Sequence, residues 1–375
     1  MRDVIAALES CAQAGGTFAL ATVVGVANSA PRPQGATMVI TRDEVFGSVS
    51  GGCVEGAVFE VAQQVMDDGH PQMQRFGYSD DDAFAVGLTC GGSIDIFIER
   101  MSVTTFPQLG VLVSMLKADE PVALVTVIEH IDPDWIGRKV VVSPTDAWGS
   151  LGSPTVTSTV VDDARGLLAA GTTTDLTYGP GAERMDTGMR VFVASHQPRP
   201  RLIIFGAIDF AASLAKAGRM IGFHVTVCDA RPLFATKMRF PDADEVVVSW
   251  PHRYLEQEAA SDRIDNRTAV CVLTHDAKFD VPALSAALAL SGRHRLAYVG
   301  AMGSRRTHTE RLQRLQNAGV SAAQLEPLRS PIGLDLGGRT SDETAVSIVA
   351  EIIAVRSGGT GRPLRDSDSF IHSHR

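Results

Sequence analysis

The chain has 375 residues, enough for two or three domains with proper cores. Apolar residues make up 45% and charged residues 21%, an ordinary globular balance, and a net charge of −9 without a long basic run argues against nucleic acid as a partner. No apolar run reaches the ~18 residues of a membrane span, and five scattered cysteines without a Cys-x-x-Cys pair predict reduced thiols in a cytoplasmic protein.

The N-terminus opens an amphipathic helix over 4–14 and lacks the apolar core of a signal peptide. A strand at 17–26 follows, then the stiff loop Ala30-Pro31-Arg32-Pro33-Gln34-Gly35, then strands near 36–41 and 44–48. Gly51-Gly52-Cys53-Val54-Glu55-Gly56 comes next. Val54, Ala57, Val58, Val61, Ala62 and Val65 recur at helical spacing, so a helix leaves this turn and runs to about 68. A helix start favours anions and thiolates, and glycines let a ligand approach the backbone. Cys53 is thus a candidate thiol, the alternative being a small buried hydrophobe in a tight turn. Residues 69–82 read as loop and end in the acidic run Asp80-Asp81-Asp82. Cys90-Gly91-Gly92 then precedes a strand in which Ile94, Ile96 and Ile98 share a face, and Cys90 is a second candidate thiol.

Residues 109–195 repeat 1–102 at an offset near 100. Ala19-Leu20-Ala21-Thr22-Val23-Val24 is echoed by Ala123-Leu124-Val125-Thr126-Val127-Ile128, and Val45-Phe46-Gly47-Ser48-Val49 by Ala147-Trp148-Gly149-Ser150-Leu151. Where the first copy has Gly51-Gly52-Cys53-Val54-Glu55, the second has Ser153-Pro154-Thr155-Val156-Thr157. The scaffold recurs while the reactive residues do not, which favours a chemical role for Cys53.

Residues 1–196 therefore form a duplicated α+β domain, and 197–200, with Pro198 and Pro200, a linker. In 201–356, strands at Leu202–Phe205, His224–Cys228, Glu245–Val248, Ala269–Leu273 and Leu296–Val299 alternate with helices near 208–220, 233–239, 252–260, 279–291, 303–318 and 341–356. Such alternation predicts a Rossmann-like parallel sheet covered on both faces, making the chain α/β as a whole. The Gly-, Ser- and Arg-rich tail, 357–375, reads as disordered. Gly206-Ala207-Ile208-Asp209-Phe210-Ala211 follows the first strand of this part, and Asp229 ends the second, where a ribose-binding acid stands in dinucleotide folds. Ile208 occupies the position where the fingerprint needs a glycine, so NAD(P) binding is doubtful. Asp229 either bonds a ribose or caps the next helix. The other strand-end loops carry His275, then Gly303, Ser304, Arg305 and Arg306 as a candidate anion site at a helix start, then Asp335.

Gly51-Gly52-Cys53-Val54-Glu55-Gly56, Cys90-Gly91-Gly92, Val299-Gly300-Ala301-Met302-Gly303-Ser304-Arg305-Arg306 and Pro331-Ile332-Gly333-Leu334-Asp335 together resemble the XdhC/CoxI family. These are accessory proteins of xanthine dehydrogenase and of aerobic carbon monoxide dehydrogenase. The resemblance implies binding of molybdenum cofactor, in molybdopterin or nucleotide form, support of its sulfuration, and delivery to a molybdenum hydroxylase. A sulfur-donating desulfurase is the implied second partner, and a homodimer the assembly to test. Members of the family carry Gly-x-Gly-His at the Rossmann turn, where this chain has Ile208 and Asp209. Cys53 would ligate the molybdenum or handle sulfur. Glu55 would accept bonds from pterin N–H groups, act as general acid/base, or only favour the helix dipole. The competing readings are an NAD(P)-dependent oxidoreductase and a docking partner with no chemistry.

Overall fold

The computed structural model describes residues 1–28, 30–77, 92–184, 186–274, 276–294 and 296–366. Two compact units meet at Pro198 and Arg199 in the chain.

The first unit contains one pattern twice. The first copy runs α1 (Ile5–Ala14), β1 (Phe18–Ala27), β2 (Thr37–Ile40), β3 (Val45–Gly47), α2 (Glu55–Asp68), β4 (Gln72–Phe76) and β5 (Ser93–Met101). The second runs α3 (Leu109–Lys117), β6 (Val122–His130), β7 (Lys139–Val142), β8 (Ala147–Gly149), α4 (Pro154–Ala170), β9 (Thr174–Tyr178) and β10 (Met189–His196). Each copy forms an antiparallel five-stranded sheet, ordered β3-β2-β1-β5-β4 and β8-β7-β6-β10-β9.

β1 and β6 are apolar along most of their length because both faces are buried. Ala19, Ala21 and Val23 of β1 lie in one core with Val58, Ala62 and Val65 of α2. Phe18, Leu20 and Val24, on the alternate face, share a second core with Leu124, Ile128 and Phe192 of the other sheet. In the second copy Val160, Ala164 and Leu168 of α4 cover the opposite face. Each fully buried side chain of this size contributes roughly 1.5–3 kcal/mol. A buried ion pair, Lys139 with Glu99, also joins the two copies across this central core. Burial pushes the Glu99 carboxyl up against the opposing pull of Lys139.

Residues 69–82, expected to be loop, instead contain the strand β4. Gln72-Met73-Gln74-Arg75-Phe76 is too polar to signal a strand alone, and its register with β5 (Gln72↔Ile98 to Phe76↔Ile94) makes it an edge. The acidic run Asp80-Asp81-Asp82 lies outside the described residues.

The second unit runs β11 (Arg201–Phe205), α5 (Asp209–Met220), β12 (His224–Asp229), β13 (Glu245–Val248), α6 (Pro251–Ala260), β14 (Ala269–Val272), α7 (Ala277–His294), β15 (Tyr298–Ala301), α8 (Arg305–Asn317), α9 (Ala322–Leu325), β16 (Leu328–Arg329) and α10 (Ser341–Ser357). Its six strands are parallel in the order β13-β12-β11-β14-β15-β16. That is the doubly wound dinucleotide-fold order, with its switch point between β11 and β14. Capping agrees with sequence at α10, where Thr340 and Glu343 form a reciprocal capping box. The helix expected at 233–239 does not form. Those residues make successive turns, with Phe234 and Ala235 both donating to the Arg231 carbonyl. After α10 a single 3-10 turn occupies Leu364–Asp366, and the rest of the tail lies outside the described residues. Among the described residues no helix is long and apolar enough to cross a membrane.

Candidate functional site

β3 ends at Gly47, where φ is +81° and a Cβ would strike Val4 and the Thr37 carbonyl, so only glycine fits. The chain then winds through Gly51 (φ +76°) and Gly52 (φ +112°) into α2. The turn is closed by the first residue of that helix. One oxygen of Glu55 accepts from the Ser48 hydroxyl at 2.6 Å and the amides of Val49 and Ser50 at 3.2 and 2.9 Å. The other accepts from the Ser50 hydroxyl and from the amides of Gly52 and Val54 at 2.9 and 3.2 Å. The buried Ser50 hydroxyl in turn accepts from the amides of Cys53 and Val54 at 2.9 and 3.0 Å.

Burial opposes charge on Glu55, but the bonds from Ser48, Ser50 and the backbone outweigh it and bring its pKa down to about 2. A group held ionised this firmly is poorly matched to proton transfer near neutral pH. Of the expected roles of Glu55, as acid/base, pterin acceptor or first-turn acid at the helix dipole, this geometry favours the structural one. The amides expected to receive an external anion at this helix start are instead filled by Glu55 and Ser50. Cys53, just before α2, is half-buried and packs against the core that α2 covers. Among the described residues, its own chain neighbours aside, no heavy atom lies within 4 Å of the Cβ position of Gly52.

The second copy shows what the frame needs without the thiol. Strand register aligns Gly47 with Gly149, through Met38↔Gly47 and Val140↔Gly149. Thr157 then stands where Glu55 does, and its hydroxyl accepts from the Leu151 amide at 3.0 Å, as Glu55 does from Val49. Ser153 caps α4 in the ordinary way, accepting from Val156 at 3.2 Å, with Pro154 in the first turn. A hydroxyl and a cap suffice to hold that strand–helix turn. The sequence offered one clue to Ser48 and Ser50, their place shortly before an acid at a helix start.

In the second unit Gly206 takes φ +113° against Thr274, where a Cβ would sit 2.8 Å from the Thr274 methyl. Asp229 faces this turn but is already engaged. It accepts from the Ala207 amide at 2.8 Å and from the Arg231 amide and guanidinium at 2.8–2.9 Å. Burial raises its pKa, and the Arg231 guanidinium with the two amides lowers it further than that, to a net depression. Asp229 thus ties the Gly206 turn to Arg231 and caps the following turn. Ile208 packs on the core, and exposed Asp209 places a carboxylate on the first turn of α5, 3.4 Å from Arg239. A pyrophosphate would meet a missing glycine and a like charge there. NADH and NADPH are accordingly expected to bind weakly or not at all, with Ile208→Gly improving any affinity. A low-micromolar Kd by calorimetry would overturn this.

Ser304 caps α8, accepting from the Thr307 amide at 3.1 Å, and Arg306 turns along the helix to Glu310 at 3.2 Å. Arg305 is exposed. Of Gly303, Ser304, Arg305 and Arg306, expected as an anion site, Ser304 is thus a helix cap and Arg306 is paired with Glu310, while Arg305 stands exposed at the helix start. Arg311, which carries no motif signal in the sequence, organises this edge instead. It is buried and reaches Asp280 at 3.1 Å, the Met302 carbonyl at 2.7 Å and the Ser330 hydroxyl at 3.1 Å, and Asp280 accepts from Thr274. It binds together the loops after β14, β15 and β16. Asp335 is exposed in the loop that follows β16. Cys90, Gly91 and His275 lie outside the described residues. Among the described residues no group of three or more His, Cys, Asp or Glu is placed to hold a metal ion.

A duplicated α+β unit with a Gly-Gly-Cys turn in its first copy, followed by a doubly wound Rossmann unit, defines a two-part α/β protein. Residues 202–352 match the XdhC Rossmann domain model, and 11–77 and 115–179, one segment in each copy, match the XdhC and CoxI family model. The chain belongs to the XdhC and CoxI family. It is 28% identical over 338 residues to the molybdenum cofactor insertion chaperone PaoD of Escherichia coli K12, covering 90% of this chain and 83% of that one. It is also 28% identical over 342 residues to a Bacillus subtilis 168 protein named as a probable xanthine dehydrogenase component, covering 90% and 92%. A crystal structure described as a xanthine dehydrogenase from Bacillus halodurans superposes with a TM-score of 0.70 at 26% identity, covering 97% of this chain and 98% of that one.

Proposed function

We propose that this protein carries molybdenum cofactor as cargo and hands it to a molybdenum hydroxylase of the xanthine or carbon monoxide dehydrogenase type. The observation that carries the reading is the Cys53 turn: a half-buried thiol on a Gly-Gly turn, on a frame that the other copy keeps without the thiol. The name of the Escherichia coli relative, a molybdenum cofactor insertion chaperone, supports the same cargo.

Thiolate sulfur is a soft ligand suited to molybdenum, and in this proposal Cys53 meets the metal end of the cargo. Gly52, with no side chain, lets the cargo approach the backbone. Glu55 and Ser50 keep the turn wound so that Cys53 projects from it. Support of sulfuration at Cys53, with a desulfurase as donor, is the finer part of the proposal.

The test is anaerobic calorimetry with molybdopterin released from a purified molybdenum hydroxylase. Binding at one site per chain is expected, with no turnover of NADH. Absence of binding to the wild-type protein would overturn the reading. Reactivity offers a second check. Cys228 and Cys271 are buried in strands; desolvation, with Asp229 adding, pushes the Cys228 pKa up to about 12, and desolvation also raises that of Cys271. Iodoacetamide at pH 7 should therefore label Cys53 before either, as read by peptide mass spectrometry. Equal or slower labelling of Cys53 would mean that its thiol is not presented.

A further inference from the structure

The loop between β1 and β2 borders the Cys53 turn: Pro31 Cβ lies 3.9 Å from the Cβ position of Gly51. Beside it is a groove of about 560 Å³, lined among the described residues by Val26, Asn28, Pro31, Arg32, Gln34 and Thr173, with Ala30 and Pro33 completing its wall. The equivalent loop of the second copy carries a tryptophan. The paired bonds Gly35 N–H to Val23 carbonyl and Gly137 N–H to Val127 carbonyl, each 2.8 Å, align the two loops. Trp135 then falls where Pro33 stands. Its ring lies over the turn before α4, so that a Cβ on Gly152 would come within 2.6 Å of it. His130 stacks on the same ring at 4.6 Å between centroids, and the Arg138 guanidinium lies 4.8 Å from its centroid. In the second copy a tryptophan packs on the turn from this loop, whereas in the first copy the corresponding loop residue is Pro33, which lines the groove.

The Arg32 side chain lines this groove and is partly exposed. One terminal nitrogen of Arg32 meets Asp3 at 2.6 Å, and its buried Nε has no hydrogen-bond partner among the described residues. Arg32 chiefly holds Asp3 below the usual carboxylate range, against the desolvation of that carboxyl. A buried donor left unmade is costly, and a planar guanidinium suits a tetrahedral oxyanion that takes two parallel bonds. Pro31 and Pro33 stiffen the loop that carries it, and Asn28, Gln34 and Thr173 add polar groups to the wall.

We propose that this groove holds a phosphate monoester, with Arg32 as its ligand. The assignment rests on the cargo reading above and deepens it: the phosphate end of the cargo would be held by the β1–β2 loop, beside the thiol that meets the metal end. It replaces the start of α8 as the phosphate site.

Inorganic phosphate alone separates this assignment from the cargo reading. By calorimetry or 31P NMR, the wild-type protein should bind phosphate in the millimolar range, and Arg32→Gln at least tenfold more weakly. Arg32→Lys, which keeps the charge but loses the fork, should fall between them. Asp3→Asn, which removes the competing carboxylate, should strengthen binding, a change of sign that misfolding cannot give. Cys53→Ser should bind phosphate as the wild type does. If the wild type binds no phosphate, if Arg32→Gln binds it unchanged, or if Arg305→Ala with Arg306→Ala abolishes binding instead, the assignment is wrong. Each of those results leaves the molybdopterin titration free to succeed or fail by itself.

Discussion

Replacing Glu55 by Gln should destabilise the first unit at neutral pH, lowering its Tm by about 4–8 °C. The carboxylate gathers donors from Ser48, Val49, Ser50, Gly52 and Val54, and these fix the path of the turn. Glutamine keeps one acceptor oxygen and turns the other into an N–H₂ group facing donors. Charge-assisted bonds contribute roughly 1.5–3 kcal/mol each in buried settings. Glu55 is only half-buried, so solvent screening cuts the total to about 2 kcal/mol. For a unit of this size, 1 kcal/mol moves Tm by about 2–4 °C.

The effect should depend on pH with a definite sign. The folded pKa of Glu55, about 2, lies below its ordinary value of 4.5. The stabilisation is therefore fully present above pH ~4.5 and is lost as pH falls toward 2. Wild type and Glu55→Gln should differ most at pH 6–7 and converge near pH 2, as read by urea unfolding at each pH. A catalytic acid/base at this position would behave otherwise: Tm would hold while client activation collapsed. A Glu55→Gln protein with unchanged Tm and no activity would restore the chemical role that the geometry argues against.

Much of this architecture was readable because burial imposes a pattern. β1 and β6 are apolar on both faces, so Ala19–Val24 and Ala123–Ile128 stood out as echoes of one another. The strands of the second unit are short apolar runs between amphipathic helices, the usual mark of a covered parallel sheet. The edge strands escaped notice for the opposite reason. β4 and β9 are half polar, and β16 is two residues long, so pairing partners define them rather than their own composition. The turns at 233–239 misled because Phe234, Ala235 and Lys237 suit a helix, while hydrogen bonds to Arg231 and Thr236 close separate turns there.

The candidate sites divide along a similar line. Residue type placed Cys53 at a strand–helix turn, since glycines and the helix face are local signals. Occupancy of hydrogen-bonding groups is not local. Sequence spacing cannot tell that Glu55 folds back onto its own turn, that Asp229 is taken by Arg231, or that Arg306 lies along α8 toward Glu310. Nor can it tell that Arg32 lines a groove, because the wall is assembled from residues as far apart as Val26 and Thr173.

Cys53→Ser is the substitution with the largest expected effect on function: Tm within about 2 °C of wild type, molybdopterin affinity reduced at least tenfold, and client activation reduced in step. The side chain is half-buried and near the size of serine, so little packing is lost. The turn is held by Glu55 and Ser50, neither of which requires the thiol. Transplanting the second copy's Ser-Pro-Thr would be a poorer test. Gly51 and Gly52 sit at φ +76° and +112°, whereas Ser153 takes φ −119° and proline is locked near −65°. That exchange would strain the backbone and confuse lost chemistry with lost structure. Serine leaves the backbone alone and removes only the soft sulfur. Phosphate affinity, read alongside, should not change, since Arg32 and its groove are intact. If Cys53→Ser lowers Tm sharply while the soluble fraction still binds molybdopterin and activates its client, Cys53 is core packing, and the thiol carries no cargo.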